Sequence, residues 1–545
     1  MLKKFDSLSE TRAQFRWDIP KFFNIGVDIC DRPAAEHPDR VALIDIDATG
    51  QARDYNFAAL RDMSNQLANL LQTSVSRGER IAVLLPQCVE TAVVHIASAK
   101  LGAIALPLFT LFGPDALRFR LQDSGAKTVV TDRAGFARLG AIRQDLPNVA
   151  EIFVIDGPVD GARDFHAELA SQACGFEPVK TRAEDPALLI YTSGTTGSPK
   201  GALHAHRVLL GHLPGVEMSH DFLPQPGDKI WTPADWAWIG GLLDVLMPSL
   251  HHGVPVVAHR FAKFDPEAAF SLIERHHIRN AFLPPTALKL MRGARPEGTS
   301  LQMRSVASGG EMLGASLLDW GRDAFGVTIN EFYGQTECNM IVSACAALAS
   351  SEPGALGTAV PGHEVAILEL EAGKLAPPEH EGQIAVATPD PVMFLRYWNN
   401  TDATEAKFAD CAGRRWLLTG DRGYLSASGH FRFIGRNDDV ISSAGYRIGP
   451  GEVEDCLNSH QAVQLSAVIG KPDPLRGEIV VAYVVLTAGS NASAQLANEL
   501  QDHVKTLLSP HEYPREVHFV NSLPMTMTGK IMRGALRAAL KTGDS

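Results

Sequence analysis

Residues 191–201 read YTSGTTGSPKG and follow directly on the apolar run Ala187–Ile190. After Tyr191 the segment is built only from glycine, hydroxyl, proline and lysine residues. Glycines let the backbone approach an anion closely, Ser and Thr hydroxyls donate to phosphate oxygens, and Lys200 adds a point charge. A strand that opens into such a loop reads as a polyphosphate cradle. The plain alternative is a flexible surface turn. The Walker pattern does not fit, because Lys200 is followed by Gly201 instead of Ser or Thr.

Around this loop, short β-branched runs alternate with stretches of helical spacing. RIAVLLP from Arg80, KTVVTD from Lys127 and RNAFLPP from Arg279 read as buried strands. ETAVVHIASAKLGA from Glu90 and FDPEAAFSLIERHHI from Phe264 read as helices. The alternation predicts an α/β architecture with largely parallel sheets. From about Pro353 glycine and proline become denser and strands shorter, as in a small β-rich subdomain. A last section alternates short strands and helices, ending in a helix expected from Lys530. At 545 residues two or more domains are expected. We divide the chain into 1–437 and 438–545, at the polar segment around Arg436 to Asp439.

The composition, 45% hydrophobic and 21% charged, is that of a soluble globular protein. A net charge of -12 speaks against a broad nucleic-acid footprint and leaves room for a local basic pocket. The seven dispersed cysteines form neither a disulfide framework nor a CxxC zinc pair, so a reducing, cytoplasmic setting is expected. The most membrane-like stretch, Trp236–Leu250, is interrupted by Asp244 and Pro248 and is too short to span, so it reads as core. The adjacent pairs His251/His252 and His276/His277 read as surface or core residues, not metal ligands.

Four further segments stand downstream of the loop: EFYGQTEC (331–338), LLTGDRGY (417–424), FIGRNDDVISSAGYRIGPGEVE (433–454) and LPMTMTGKIMR (523–533). Singly, Glu337 could be a solvated carboxylate, Asp421 a turn residue and Lys530 an exposed helix end. In this order, together with the glycine-rich loop, they resemble the superfamily of acyl- and aryl-CoA synthetases, luciferases and nonribosomal adenylation enzymes. The resemblance runs from about residue 30 to the C-terminus. It implies a large N-terminal adenylate-forming domain and a small, mobile α+β C-terminal domain carrying the catalytic lysine.

Roles follow from this resemblance position by position. Thr192, Ser193, Gly194, Thr195, Thr196, Gly197 and Lys200 would hold the phosphates of ATP. Gly310, Glu311, Met312, Glu331, Phe332, Tyr333, Gly334, Gln335 and Thr336 would surround the nucleotide, with Tyr333 stacked on adenine. Asp421 would accept both ribose hydroxyls, Arg436 would donate to the ribose, and Arg447 would contact the AMP phosphate. Glu337 would bind Mg2+, a hard cation suited to carboxylate and phosphate oxygens. Lys530 would bridge the substrate carboxylate and the α-phosphate. The resemblance also implies a hinge at Asp438, after which Gly445 and Ala444 would border the path of the coenzyme A thiol.

For the acid, acetyl-CoA synthetases carry a tryptophan at the position of Gly334 and a valine at that of Gly309. The pocket wall after Trp238 reads Ile239 and Gly240. Loss of an indole is expected to open space for several carbons, which favours a medium-chain, branched or aryl acid over acetate. The alternatives are an acetyl- or propionyl-CoA synthetase and an enzyme loading a carrier protein, although only 15 residues follow Lys530. PMTMTGK also resembles the context in which bacterial relatives are acylated on the catalytic lysine, which implies a lysine acetyltransferase and deacetylase as partners. The plain alternative is that the motif only places Lys530 for catalysis.

Overall fold

The computed structural model describes residues 2–5, 7–192, 199–294, 301–349, 352, 354–436, 439–443, 446–474, 476–508, 512–526 and 530–542. Two large sheets form the N-terminal part. The first has eight strands. Arg80–Leu84 lies between Ile104–Pro107 and Thr128–Thr131, all parallel, and Ile104–Pro107 runs parallel to Pro186–Thr192. Pro186–Thr192 then turns back antiparallel as Lys200–Ala205, whose outer edge takes the short strand Arg396–Tyr397. The second sheet has nine strands, with a parallel centre running through Val256–Ala258, Ile230–Trp231, Asn280–Phe282, Ser305–Gly309 and Ile329–Gln335.

Helix Val89–Lys100 is buried along its whole length. Apolar residues stand on every side of it, and its charged Glu90 and Lys100 lie at the two ends. It packs in one apolar cluster with Ile81 and Val83 of the first sheet and Leu43, Ile230 and Val256 of the second. Helix Pro266–Arg275 starts where the sequence signals it: Asp265 caps Ala268 N at 3.0 Å, and Pro266 opens the first turn. The stretch from Trp236 is core, with Trp236 1% exposed. No helix among the described residues is long and apolar enough to cross a membrane.

A third, antiparallel sheet contains Val365–Glu369, Gly382–Ala387, Arg414–Leu425 and Phe431–Arg436, which is the expected β-rich subdomain. Beyond it the long hairpin Val463–Asp473/Gly477–Leu486 carries Glu516–Phe519 in parallel. Helices Pro450–Asn458 and Arg533–Thr542 contact the Val463–Asp473 strand, and Ala494–Leu507 packs on Pro450–Asn458. Each apolar cluster among the described residues lies wholly before residue 434 or wholly after 440. One sequence expectation is corrected: the last helix begins at Arg533, not Lys530. Met525 and Ile531 form an antiparallel bridge, and Thr526 N donates to Lys530 O at 2.7 Å. Lys530 therefore lies before the last helix, on backbone that pairs back to Thr526.

Lys100 is fully buried, with its ammonium 2.6 Å from Asp31 and bonded to Ser64 Oγ and Asn65 Oδ1. Removing one partner of such a pair strands the other and costs about 3–5 kcal/mol. Lys100→Met is expected to lower the stability of the N-terminal part by that amount in chemical denaturation. An unchanged midpoint would show that the pair contributes nothing.

Candidate active site

Strand Ile329–Gln335 returns as Cys338–Ser343 with Gln335 opposite Cys338, so Thr336 and Glu337 form the two-residue turn between them. Glu337 is 6% exposed. Its carboxylate accepts the Tyr397 hydroxyl, and its carbonyl accepts Phe394 N at 2.9 Å. Tyr397 belongs to the edge strand of the other sheet, and Lys200 Nζ stands 5.4 Å from its ring centroid. One aromatic ring thus separates the turn carboxylate from the lysine of the glycine-rich loop. Thr192 pairs with Lys200 across the hairpin. Gln335 is held from both sides, accepting from Lys407 Nζ at 2.7 Å and donating to Thr419 O at 2.8 Å.

The same strand positions Tyr333, whose hydroxyl donates to Asp421 Oδ2 at 2.6 Å. Asp421 lies opposite Arg436 in the cross-strand register, with 3.6 Å between guanidinium and carboxylate. Burial pushes the Asp421 carboxyl up, and Arg436 and Tyr333 oppose this. The adjacent strand ends at Gly309, after which Gly310 adopts φ +99°, open to glycine and strained for other residues. A Cβ there would stand 3.3 Å from the Trp238 ring and 3.7 Å from Lys530 Cε. Lys530 Nζ is 6.0 Å from the Trp238 centroid. Desolvation of its ammonium beside the large part lowers the Lys530 pKa, and Glu311, Asp421 and Glu337 oppose this. A lysine of the small C-terminal part therefore faces three carboxylates of the large N-terminal part.

The space expected at the glycines is filled. A Cβ at Gly334 would lie 2.4 Å from Met340 N and 2.6 Å from Asn339 Cα, so this position faces the neighbouring strand's backbone. At Gly309 the Phe332 ring already lies 2.6 Å from the Cβ position, and at Gly240 Trp238 and Phe282 lie 2.8 and 3.0 Å away. Glycine here admits neighbouring rings and strand backbone. Trp238, Phe282 and Phe332 form an aromatic wall with centroids 5.8 and 5.2 Å apart, and Ile239 is buried behind it.

Beyond Gly310 the two parts touch through small and charged groups. A Cβ at Gly451 would meet Met312 Sδ at 3.0 Å, and one at Gly314 would meet the Asp455 carboxyl at 3.0 Å. Lys289 is 4.0 Å from Glu311. Burial pushes Asp455 up to about 7, with Lys289 opposing. Asp439, beside the expected hinge, is held by Arg537 at 2.6 Å and by Arg533 at 3.6 Å. Ser193, Gly194, Thr195, Thr196, Gly197, Asp438, Ala444, Gly445 and the side chain of Arg447 lie outside the described residues.

Tyr397, Lys407 and Thr419 were not singled out in the sequence. Each reaches the site only through strand pairing, and an isolated tyrosine or lysine carries no local pattern. His251 lies 2.5 Å from Asp28 and His252 3.0 Å from Glu217. Among the described residues no group of three metal-ligating side chains occurs.

The family model described as AMP-binding enzyme matches residues 30–398, and that of the AMP-binding enzyme C-terminal domain matches 452–530. The chain belongs to the AMP-binding enzymes. It is 33% identical to the acetyl-coenzyme A synthetase of Bacillus subtilis (strain 168), over 94% of this chain and 90% of that protein. It is 34% identical to the mitochondrial acyl-coenzyme A synthetase ACSM4 of Rattus norvegicus, over 95% and 91%. The solved anthranilate CoA ligase AuaEII, in complex with anthranoyl-AMP, superposes with a TM-score of 0.88 at 28% identity, covering 96% of this chain and 99% of that one. These relatives match both parts of this AMP-binding enzyme, as the family models do.

Glu331 is the buried acid of the nucleotide-side strand. Its Oε1 accepts Leu313 N at 3.1 Å, and burial raises its pKa from 4.5 to about 8. Between those values the folded state holds a proton that the unfolded chain has released, so this residue's contribution falls as pH rises from 4.5 to 8. Glu331→Gln keeps the acceptor and removes the ionisation. Its melting temperature relative to the parent is expected to be unchanged near pH 5 and to rise progressively toward pH 9. A difference independent of pH would exclude the buried proton.

Proposed function

We propose that this AMP-binding enzyme activates an organic carboxylic acid with ATP and transfers the acyl group to the thiol of coenzyme A. The observation that carries this reading is Lys530, held by the small C-terminal part beside Trp238, Glu311, Asp421 and Glu337 of the large part. A carboxylate oxygen attacks the α-phosphorus, the bond to pyrophosphate breaks, and an acyl-adenylate remains. Lys530 holds the two repelling anions together and offsets the charge that accumulates between them. The thiol then attacks the acyl carbonyl, loses its proton, and AMP departs.

Asp421 accepts the ribose hydroxyls in place of the Tyr333 hydroxyl it takes here, with Arg436 beside it. Gly310, Glu311, Met312, Tyr333, Gln335 and Thr336 border the nucleotide. Thr192, Lys200 and the loop between them take the phosphates. Glu337 fits a magnesium ion: it is one shielded carboxylate next to the phosphate side, and Mg2+ typically takes one or two carboxylates with phosphate oxygens and water. When bound, the ion would neutralise phosphate charge. Residues 438–545 act as a lid that turns near Asp438, bringing Ala444 and Gly445 to the thiol's path, with Arg447 toward the AMP phosphate.

A medium-chain, branched or aryl acid is favoured, now because of the aromatic wall of Trp238, Phe282 and Phe332 and not because of open space at Gly334. The seven free cysteines fit a reducing cytoplasm. Acetylation of Lys530 by a lysine acetyltransferase would remove the bridging charge, and a deacetylase would restore it.

Measuring AMP release with a panel of acids, with and without coenzyme A, tests the reaction. AMP is expected only with acid, and turnover only with both. Lys530→Ala is expected to lower pyrophosphate release at least a hundredfold while leaving thioester formation from supplied acyl-adenylate within severalfold. Equal loss of both steps would remove Lys530 from the first.

A further inference from the structure

Trp238 closes the site over Gly310, and the helix that follows leads from the reacting end into the core. Its second segment, Leu242–Leu246, is a π-turn. Such turns insert one extra residue and gather at functional positions. Asp244 sits within it, 2% exposed and four residues beyond Gly240, or about 6 Å along the axis. Gly240 faces the Trp238 and Phe282 rings, so Asp244 stands one turn deeper on the same helix.

Asp244 Oδ1 accepts the Asn339 amide at 2.6 Å, whereas Oδ2 is buried without a hydrogen-bond partner among the described residues. Asn339 follows Glu337 by two residues, and its Oδ1 stands 2.7 Å from the Cβ position of Gly334, tying Asp244 to the site strand. Leu243 and Val245, its chain neighbours, belong to the same apolar core cluster as Phe282, Phe332 and Met340. Burial pushes the Asp244 carboxyl well above the usual carboxylate range, and the Asn339 amide opposes this. An unmatched buried oxygen is costly, and an apolar side chain would fill this place more cheaply.

We propose that Asp244, oriented by Asn339, is the distal specificity residue of the acyl pocket and selects an acid with a hydroxyl or amino group at the end remote from its carboxylate. This rests on the reading that the site activates a carboxylic acid. Asp244 Oδ2 would complete its hydrogen bonding with that group, and the aromatic wall would flank the body of the acid. A site with a buried partner for a polar group discriminates strongly against the analogue lacking it.

The experiment compares matched pairs, 4-hydroxybenzoate and 4-aminobenzoate against 4-methylbenzoate, and 6-hydroxyhexanoate against heptanoate, by acid-dependent pyrophosphate release. The parent enzyme is expected to favour at least one polar member tenfold or more in kcat/KM. Asp244→Leu is expected to abolish that preference while retaining turnover of the methyl or alkyl partner. Asp244→Asn, closest in shape, keeps the test open if the leucine variant does not fold, and is expected to reduce the preference severalfold. Equal or better use of the apolar partners by the parent, or a preference unchanged in both variants, would overturn the proposal. Absence of pyrophosphate release with every acid would instead overturn the proposed function.

Discussion

The site depends on one electrostatic constraint: a single ammonium, Lys530, must come from one folded unit to a cluster of acids built by another. Glu311, Asp421 and Glu337 all favour its charged form, while desolvation disfavours it. The contacts that seat it are short and specific. Asp455 stands against Gly314, Met312 against Gly451, and Asp439 is clamped by Arg533 and Arg537. Because Gly314 and Gly451 have no side chains, the two backbones approach closely enough for Lys530 to reach Trp238.

The large part supplies the complementary geometry through strand ends. Glu337 occupies a two-residue turn, Tyr333 projects from the strand before it, and Asp421 and Arg436 meet by cross-strand register. None of these side chains relies on a long loop for its position. Tyr333, near the end of a strand of the second sheet, and Asp421, on a strand of the antiparallel third sheet, meet at hydrogen-bond distance because these two sheets abut at the site.

Much of this was legible in the sequence because the informative residues cluster. The loop after Ile190, the run around Glu337 and the segment before Lys530 each combine glycine with charge or hydroxyl, and local composition carries that signal. The alternating β-branched runs likewise predict the parallel sheets, and the helical spacing from Phe264 predicts the helix that begins at Pro266. What could not be read is what pairing creates. Tyr397 reaches Glu337 only because Arg396–Tyr397 adds to the edge of the strand carrying Lys200. The pocket wall misled for a related reason: a missing side chain at Gly309 does not state what fills the gap, and here it is Phe332. The late start of the final helix reflects a bridge between Met525 and Ile531 that outweighs local helix preference.

The separation of the apolar clusters on either side of residues 434–440 has a thermodynamic consequence. Turning the small part against the large one, as proposed, would uncover Asp455, Gly314, Gly451 and Met312, none of which belongs to an apolar cluster among the described residues. Its equilibrium should therefore carry a small heat-capacity change and vary little in temperature coefficient. Added salt, which screens attraction across the contact such as that of Lys289 for Asp455, would then be the more effective lever on the proposed turning.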